Sequence, residues 1–315
     1  MLQRRELLAT AGLLTVGLPV HAAPAQERRT GRLLAIGGAE DRRHDRVILR
    51  RFVELCARDN PTAAPQVLVL TAASGVPEDA WRGYEPVFAE LGVQASHLDL
   101  RSPEDANLPD AVQRILSADG IFMSGGDQRR LMATLWESEA ARAMHLAFHL
   151  RGCCIGGTSA GAAALSRLML AIGDTPALPH RDAVSLDIGL GLISNAIIDQ
   201  HFSERRRLGR LLSAMAQRPD VLGVGIDEDT ALLIERGQAI EVLGQGAVTL
   251  VDGRQMRSNL KVAEPQAALE MLDVRLHLLP AGNRYVLQAD ADGTPLPPGL
   301  RLAVQHLVAP GPIRG

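Results

Sequence analysis

Between residues 31 and 251, short continuous apolar runs alternate with longer helical patterns, and this alternation constrains the fold more than any other feature of the chain. The strand candidates are 33–36, 67–70, 95–98, 120–123, 153–155, 196–198 and 221–226. Helical patterns cover 47–57, 81–91, 110–116, 130–150, 160–170 and 206–216. A strand apolar at every position is covered on both faces. Strand and helix in repeated alternation build a parallel sheet with helices on either side. The expected class is therefore α/β, a doubly wound, mostly parallel sheet. Its ligands would collect at the carboxyl ends of the strands. After Ile226 the pattern turns to hairpins at 231–234, 240–242 and 248–251, punctuated by Gly237, Gly244 and Gly246. A catalytic domain over 31–253 is followed by residues 254–315, which read as a small C-terminal appendage of unknown role. A helix is expected there at 265–272, with strands at 274–279 and 285–287.

The amino end reads as an address. Arg4 and Arg5 precede Leu7-Leu8, no formally charged residue stands from Leu7 to Ala25, and Ala22-Ala23 supplies small residues for cleavage. These features predict a signal peptide over 1–22 of the twin-arginine type, with the mature protein periplasmic or extracellular. Gly12, Gly17, Pro19 and Pro24 suit the stretch poorly to a membrane span, so no membrane association is expected of the mature form. Cys56, Cys153 and Cys154 make no disulfide framework. With 33 basic against 36 acidic residues and 3% aromatics, the chain lacks the charge and the stacking surface for nucleic acid.

The chemistry centres on Gly157-Thr158-Ser159-Ala160-Gly161, a G-x-S-x-G between an apolar strand and a small-residue helix. A sharp strand-to-helix turn lifts the serine above the sheet, and the glycines let neighbouring backbone pass without a Cβ. The new helix would turn its amino end toward developing negative charge, and the N–H of Ala160 is a natural oxyanion donor. A serine nucleophile needs a base. Lys261 is the only lysine, so the base should be one of nine histidines. His21 leaves with the signal, and His277 and His306 lie in the appendage. His145 and His149 stand four apart on one helix face but lack a third ligand, so no metal is expected. His201 directly follows the 196–198 strand, at the edge where the elbow sits. The orienting acid is Glu228 or Asp199, both at strand ends; spacing alone leaves the two open. The glycine pair in Ser124-Gly125-Gly126-Asp127-Gln128 offers a second oxyanion donor, at Gly126. Arg205, Arg206, Arg207 and Arg210 begin four residues past His201, and guanidinium groups grip carboxylates with two prongs, so an acidic substrate is expected.

Taken in order, Ile36–Glu40, Gly125–Gln128, Gly157–Ala162, Asp199–Phe202 with Arg205, Arg207 and Arg210, and Gly225–Ala231 resemble the cyanophycinases, serine peptidases related to dipeptidase E. The resemblance runs over about 31–253. It implies a fold like the class I glutamine amidotransferases, with serine at the elbow. It also implies a Ser159–His201–Glu228 triad, which decides for Glu228. The family substrate is cyanophycin, a polyaspartate with arginine on each β-carboxyl, and the product is the β-Asp-Arg dipeptide. Substrate contacts would fall on Gln128, Asp199, Gln200, Arg205, Arg207 and Arg210. No cofactor or metal is implied, and a homodimer is the family expectation. Ser124, Arg129-Arg130 and Glu204 depart from the usual threonine, apolar helix start and glutamine. The alternatives are an α-aspartyl dipeptidase, an esterase using the same elbow, and a non-catalytic binding relative.

Overall fold

The computed structural model describes residues 30–57, 64–288 and 295–310; the expected signal peptide lies outside them. Its first half is the anticipated α/β alternation. Strand β1 (Leu33–Ile36) leads to α1 (Val47–Cys56), β2 (Gln66–Leu70), α2 (Pro77–Glu90), β3 (Gln94–Leu98), α3 (Pro109–Ser117) and β4 (Gly120–Met123). Then come α4 (Gln128–Leu135), α5 (Glu139–Arg151), β5 (Cys154–Thr158) and α6 (Ala160–Ala164). The second half is richer in strands: β6 (Leu168–Gly173), β7 (Val184–Ile188), β8 (Ala196–Gln200), α7 (Leu208–Gln217), β9 (Leu222–Ile226), β10 (Thr230–Glu235), β11 (Ala239–Gly244) and β12 (Ala247–Asp252). The chain closes with β13 (Arg257–Ser258), β14 (Met271–Leu272), β15 (Arg275–Pro280), β16 (Asn283–Val286) and α8 (Pro298–Val308).

Two sheets result. The larger has the order β16-β11-β10-β1-β5-β4-β2-β3. Its β1, β5, β4, β2 and β3 are mutually parallel, and β10, β11 and β16 extend it antiparallel. All four residues of β1 and of β4 are buried, as strands covered on both faces require. The smaller sheet runs β15-β12-β9-β8, with β8 parallel to β9 and the rest antiparallel. The expectation of one continuous sheet is corrected here. The 196–198 and 221–226 runs pair with each other rather than with the central strands, because an apolar run specifies burial and not its hydrogen-bonding partner.

Three further expectations change. The helix expected over 130–150 is two helices. Glu137 adopts a left-handed conformation (φ 55°) and the Ser138 hydroxyl accepts the Ala141 N–H at 3.1 Å, so a capped start interrupts the apolar period. The helix expected over 160–170 ends at Ala164, and the following Leu-Met-Leu run joins β7 as a bulged hairpin. The 265–272 stretch forms turns and β14 instead of a helix. Beyond residue 253, β15 and β16 each lengthen one of the two sheets. Helix α8 buries Leu300, Ala303, Val304, Leu307 and Val308 against the main core. Its 300-303-304-307-308 spacing is an ordinary amphipathic stripe.

Candidate active site

Ser159 sits between β5 and α6 at φ 52°, ψ −112°, a conformation costly for any residue with a Cβ. The turn is held on both sides. The Ser159 N–H donates to the Ile36 carbonyl at 3.0 Å, and its own carbonyl accepts the N–H groups of Ala162 and Ala163. A Cβ on Gly157 would stand 2.4 Å from the Gly161 carbonyl oxygen, so only glycine allows this crossing. The Ala160 N–H is one of the first-turn donors that helix geometry leaves unused. With α6 only five residues long, the contribution at this point is a single N–H rather than an extended helix dipole.

His201 follows β8 and is also left-handed, at φ 48°. Its Nε2 lies 2.9 Å from Ser159 Oγ and its Nδ1 lies 2.5 Å from Glu228 Oε1. A carboxylate only accepts, so Nδ1 carries the proton and Nε2 presents its lone pair to the serine hydroxyl. The imidazole's pKa is lowered, chiefly by burial. Glu228 opposes this, and the charges of Arg205 and Arg207 add to it. The ring is therefore a neutral base at neutral pH. Ser159 comes from the larger sheet, and His201 and Glu228 from strand ends of the smaller one, so the three groups meet where strand ends of the two sheets come together.

Asp199 lies apart from this chain of contacts. It is fully buried and clasped by Arg210, whose Nε donates to Oδ2 at 2.9 Å and whose Nη2 donates to Oδ1. Arg207 Nη1 lies 3.4 Å from Asp199 and donates to Gln200 Oε1 at 2.8 Å and to the Gln200 carbonyl. Asp199, Gln200, Arg207 and Arg210 thus hydrogen-bond one another in a buried network, with Arg207 Nε left without a partner. Arg205 is exposed. Gln128 opens α4 and donates to the carbonyls of Leu170 and Ala171 at 2.7 and 3.1 Å. Gly125 passes so close to Ser159 that a Cβ there would lie 3.3 Å from Ser159 Cβ. Gly126 follows at φ 145°. His145 and His149 stack on each other, and His145 Nε2 lies 2.8 Å from the Leu190 carbonyl oxygen. Among the described residues no cluster of three or more His, Cys, Asp or Glu is arranged to hold a metal ion.

The loop after β1 was legible only as part of a motif, yet it borders every member of the site. The Gly37 carbonyl accepts the His201 N–H at 2.8 Å, and the Gly38 carbonyl accepts the Asp229 N–H at 2.9 Å. A Cβ on Gly38 (φ 105°) would stand 2.3 Å from His201 Cε1. Glu40 is buried beneath, bonded to Tyr84 and Thr158. The available signal was a carboxylate placed just past a buried strand, where a charge needs partners.

An elbow serine, a neutral imidazole and a carboxylate in one hydrogen-bonded line on an α/β scaffold are the arrangement of a serine hydrolase. The profile of Peptidase family S51 matches residues 33–242, and the chain belongs to that family of serine peptidases. It is 39% identical over 260 residues to a cyanophycinase of Synechococcus elongatus, covering 82% of this chain and 80% of that protein. It is 37% identical over 255 residues to a cyanophycinase of Geminocystis herdmanii, covering 80% of this chain and 92% of that one. Among solved structures, a peptidase from an acI-B1 Actinobacterium superposes with a TM-score of 0.59 at 23% identity. It covers 82% of this chain and 98% of that one, and shares the fold.

Proposed function

We propose that the protein degrades cyanophycin to β-Asp-Arg dipeptides through a Ser159–His201–Glu228 triad. The observation that carries the proposal is the unbroken line from Ser159 Oγ through both nitrogens of His201 to Glu228, at 2.9 and 2.5 Å. The cyanophycinase names of the relatives supply the polymer. His201 Nε2 takes the Ser159 proton as Oγ attacks a backbone carbonyl carbon. The N–H groups of Ala160 and Gly126 receive the oxyanion. The imidazolium, steadied by Glu228, returns the proton to the leaving amine as the peptide bond breaks. Water then enters by the same base, splits the acyl-enzyme ester and regenerates the serine. No step calls for a metal or cofactor. Arg205, exposed beside the base, would meet a substrate carboxylate. The Asp199–Arg210 clasp, with Arg207 and Gln200, would form the wall behind it, and Gln128 the opposite edge. Export by the twin-arginine route and homodimerisation belong to the same proposal, with the enzyme acting on polymer outside its own cytoplasm.

The test is mass spectrometry of soluble products after incubation with insoluble cyanophycin, beside Ser159→Ala. Release of β-Asp-Arg by the wild type, lowered at least about 10³-fold in the variant, is expected. No release from the polymer, with α-Asp dipeptides or simple esters cleaved instead, would keep the triad and discard the polymer.

A further inference from the structure

The reaction has no direct use for a carboxylate buried behind the elbow, yet Glu40 is only 5% exposed there. Its Oε1 accepts the Tyr84 hydroxyl at 2.5 Å and its Oε2 accepts the Thr158 hydroxyl at 2.5 Å. Arg42 Nε lies 4.0 Å from the same carboxylate, and its guanidinium covers the Tyr84 ring at 4.9 Å. Tyr84 belongs to α2, and Thr158 is the last residue of β5, immediately before Ser159. Hydrogen bonds to an ionised acceptor are short and strong. One carboxylate therefore binds the 37–41 loop to a helix on one side and to the elbow on the other.

That loop in turn touches each segment that carries a triad member. At its start, the Ile36 carbonyl accepts the Ser159 N–H at 3.0 Å. The Gly37 carbonyl holds the His201 N–H, and the Gly38 backbone comes so close to the imidazole that a Cβ there would meet it. The Gly38 carbonyl holds the Asp229 N–H, and the Asp41 N–H donates to Asp229 Oδ1 at 2.8 Å, next to Glu228. Ala39, Ser159, His201 and Asp229 all have positive φ, between 44° and 52°. Such conformations persist only where the surroundings over-determine them. We infer that Glu40 is a positioning residue for the reaction: through Thr158 and Tyr84 it fixes the 37–41 loop, and the loop fixes the mutual register of Ser159, His201 and Glu228. The inference rests on the triad proposed above. Glu40 touches neither substrate nor the reacting atoms.

The test compares wild type with Glu40→Gln, Thr158→Val and Tyr84→Phe on soluble cyanophycin oligomers, with a melting curve for each and labelling of Ser159 by a serine-directed phosphonate. Gln keeps the shape of Glu40 but sets an amide NH2 against a hydroxyl donor. Register errors of about an ångström cost on the order of 10²-fold. Glu40→Gln should lower kcat and the phosphonate labelling rate roughly 10- to 100-fold, with KM changed less than about twofold. The acid limb of its pH profile should rise toward the ordinary histidine value of 6.5, because a loosened loop lets water reach the imidazole. Thr158→Val should show the same pattern more weakly, and it carries the test if Glu40→Gln does not fold. Variants that melt earlier but keep wild-type kcat and pH profile would overturn the inference and leave the triad standing. A wild-type protein that resists the phosphonate would sink both.

Discussion

Replacing Arg210 by Met separates two roles that the same residue could have. As a free substrate contact, Arg210 would leave stability unchanged on removal. As half of the buried clasp, it cannot. Its side chain is 8% exposed, Asp199 is 0% exposed, and the two meet through both carboxylate oxygens. Met fills most of the stem volume and leaves the Asp199 carboxylate with Arg207 at 3.4 Å and the Gln200 backbone N–H. Removing one partner of a buried pair costs about 3–5 kcal/mol. Each kcal/mol shifts Tm by about 2–4 °C in large single domains, so Arg210→Met should melt on the order of 10 °C below wild type. The pH dependence has a definite sign. Burial already holds the Asp199 pKa above its ordinary 3.8, against the pull of Arg210 first and then Arg207. Without Arg210 it rises further. The folded state then binds a proton more readily than the unfolded state between 3.8 and that raised value. The deficit against wild type should be full at neutral pH and shrink as pH falls from the variant's raised value toward the lower one of the wild type. The assay is a set of calorimetric melts of both proteins from about pH 7 down to about pH 4, with kcat and KM at neutral pH. Unchanged Tm with a raised KM would refute the clasp and make Arg210 a free substrate contact.

Four further outcomes are expected. Gly38→Ala would drive a Cβ to within 2.3 Å of His201 Cε1 at φ 105°, and kcat should fall on the order of 10²-fold, measured on folded protein; an active variant would show that the loop can retreat. The acid limb of kcat/KM should lie below 6.5, since burial lowers the His201 pKa, and Glu228→Gln should move it lower still because Glu228 is what raises it. Arg205→Ala should raise KM several-fold and shift that limb upward, since the Arg205 charge helps to depress the imidazole; an unmoved KM and limb would make Arg205 a solvated surface charge. Arg4→Lys with Arg5→Lys should trap the protein in the cytoplasm, read by fractionation, and normal export would remove the twin-arginine assignment.

The α/β alternation was readable because parallel strands covered on both faces leave continuous apolar runs; the expected 33–36 and 120–123 match β1 and β4 residue for residue. What periodicity does not encode is partnership. Ala196–Gln200 and Leu222–Ile226 are as fully buried as the central strands, yet they build a second sheet. Ser138 signalled its own cap, and Leu168–Gly173 its own strand, but good helix formers on either side masked both. Helix α8 was not anticipated, although its 300-303-304-307-308 stripe and Pro298 at its first position were signals for it.

The site divides along the same line. Ser159, His201 and Glu228 each stand at the end of a recognisable strand, so chemistry and position pointed to the same residues. Asp199 offered an equal carboxylate at an equal strand end, and local pattern could not choose between it and Glu228. Only the resemblance favoured Glu228; in the structure Arg210, eleven residues along the chain and on the next helix, takes both oxygens of Asp199. Glu40 was harder still. Its partners are 44 and 118 residues away, at Tyr84 and Thr158. A sequence displays groups able to react, because their chemistry belongs to single side chains. It conceals groups that hold others in place, because their role exists only once distant segments have met. For this reason the β1 loop, with one ordinary glutamate and two glycines, is where substitution should most sharply separate a folded chain from a working one.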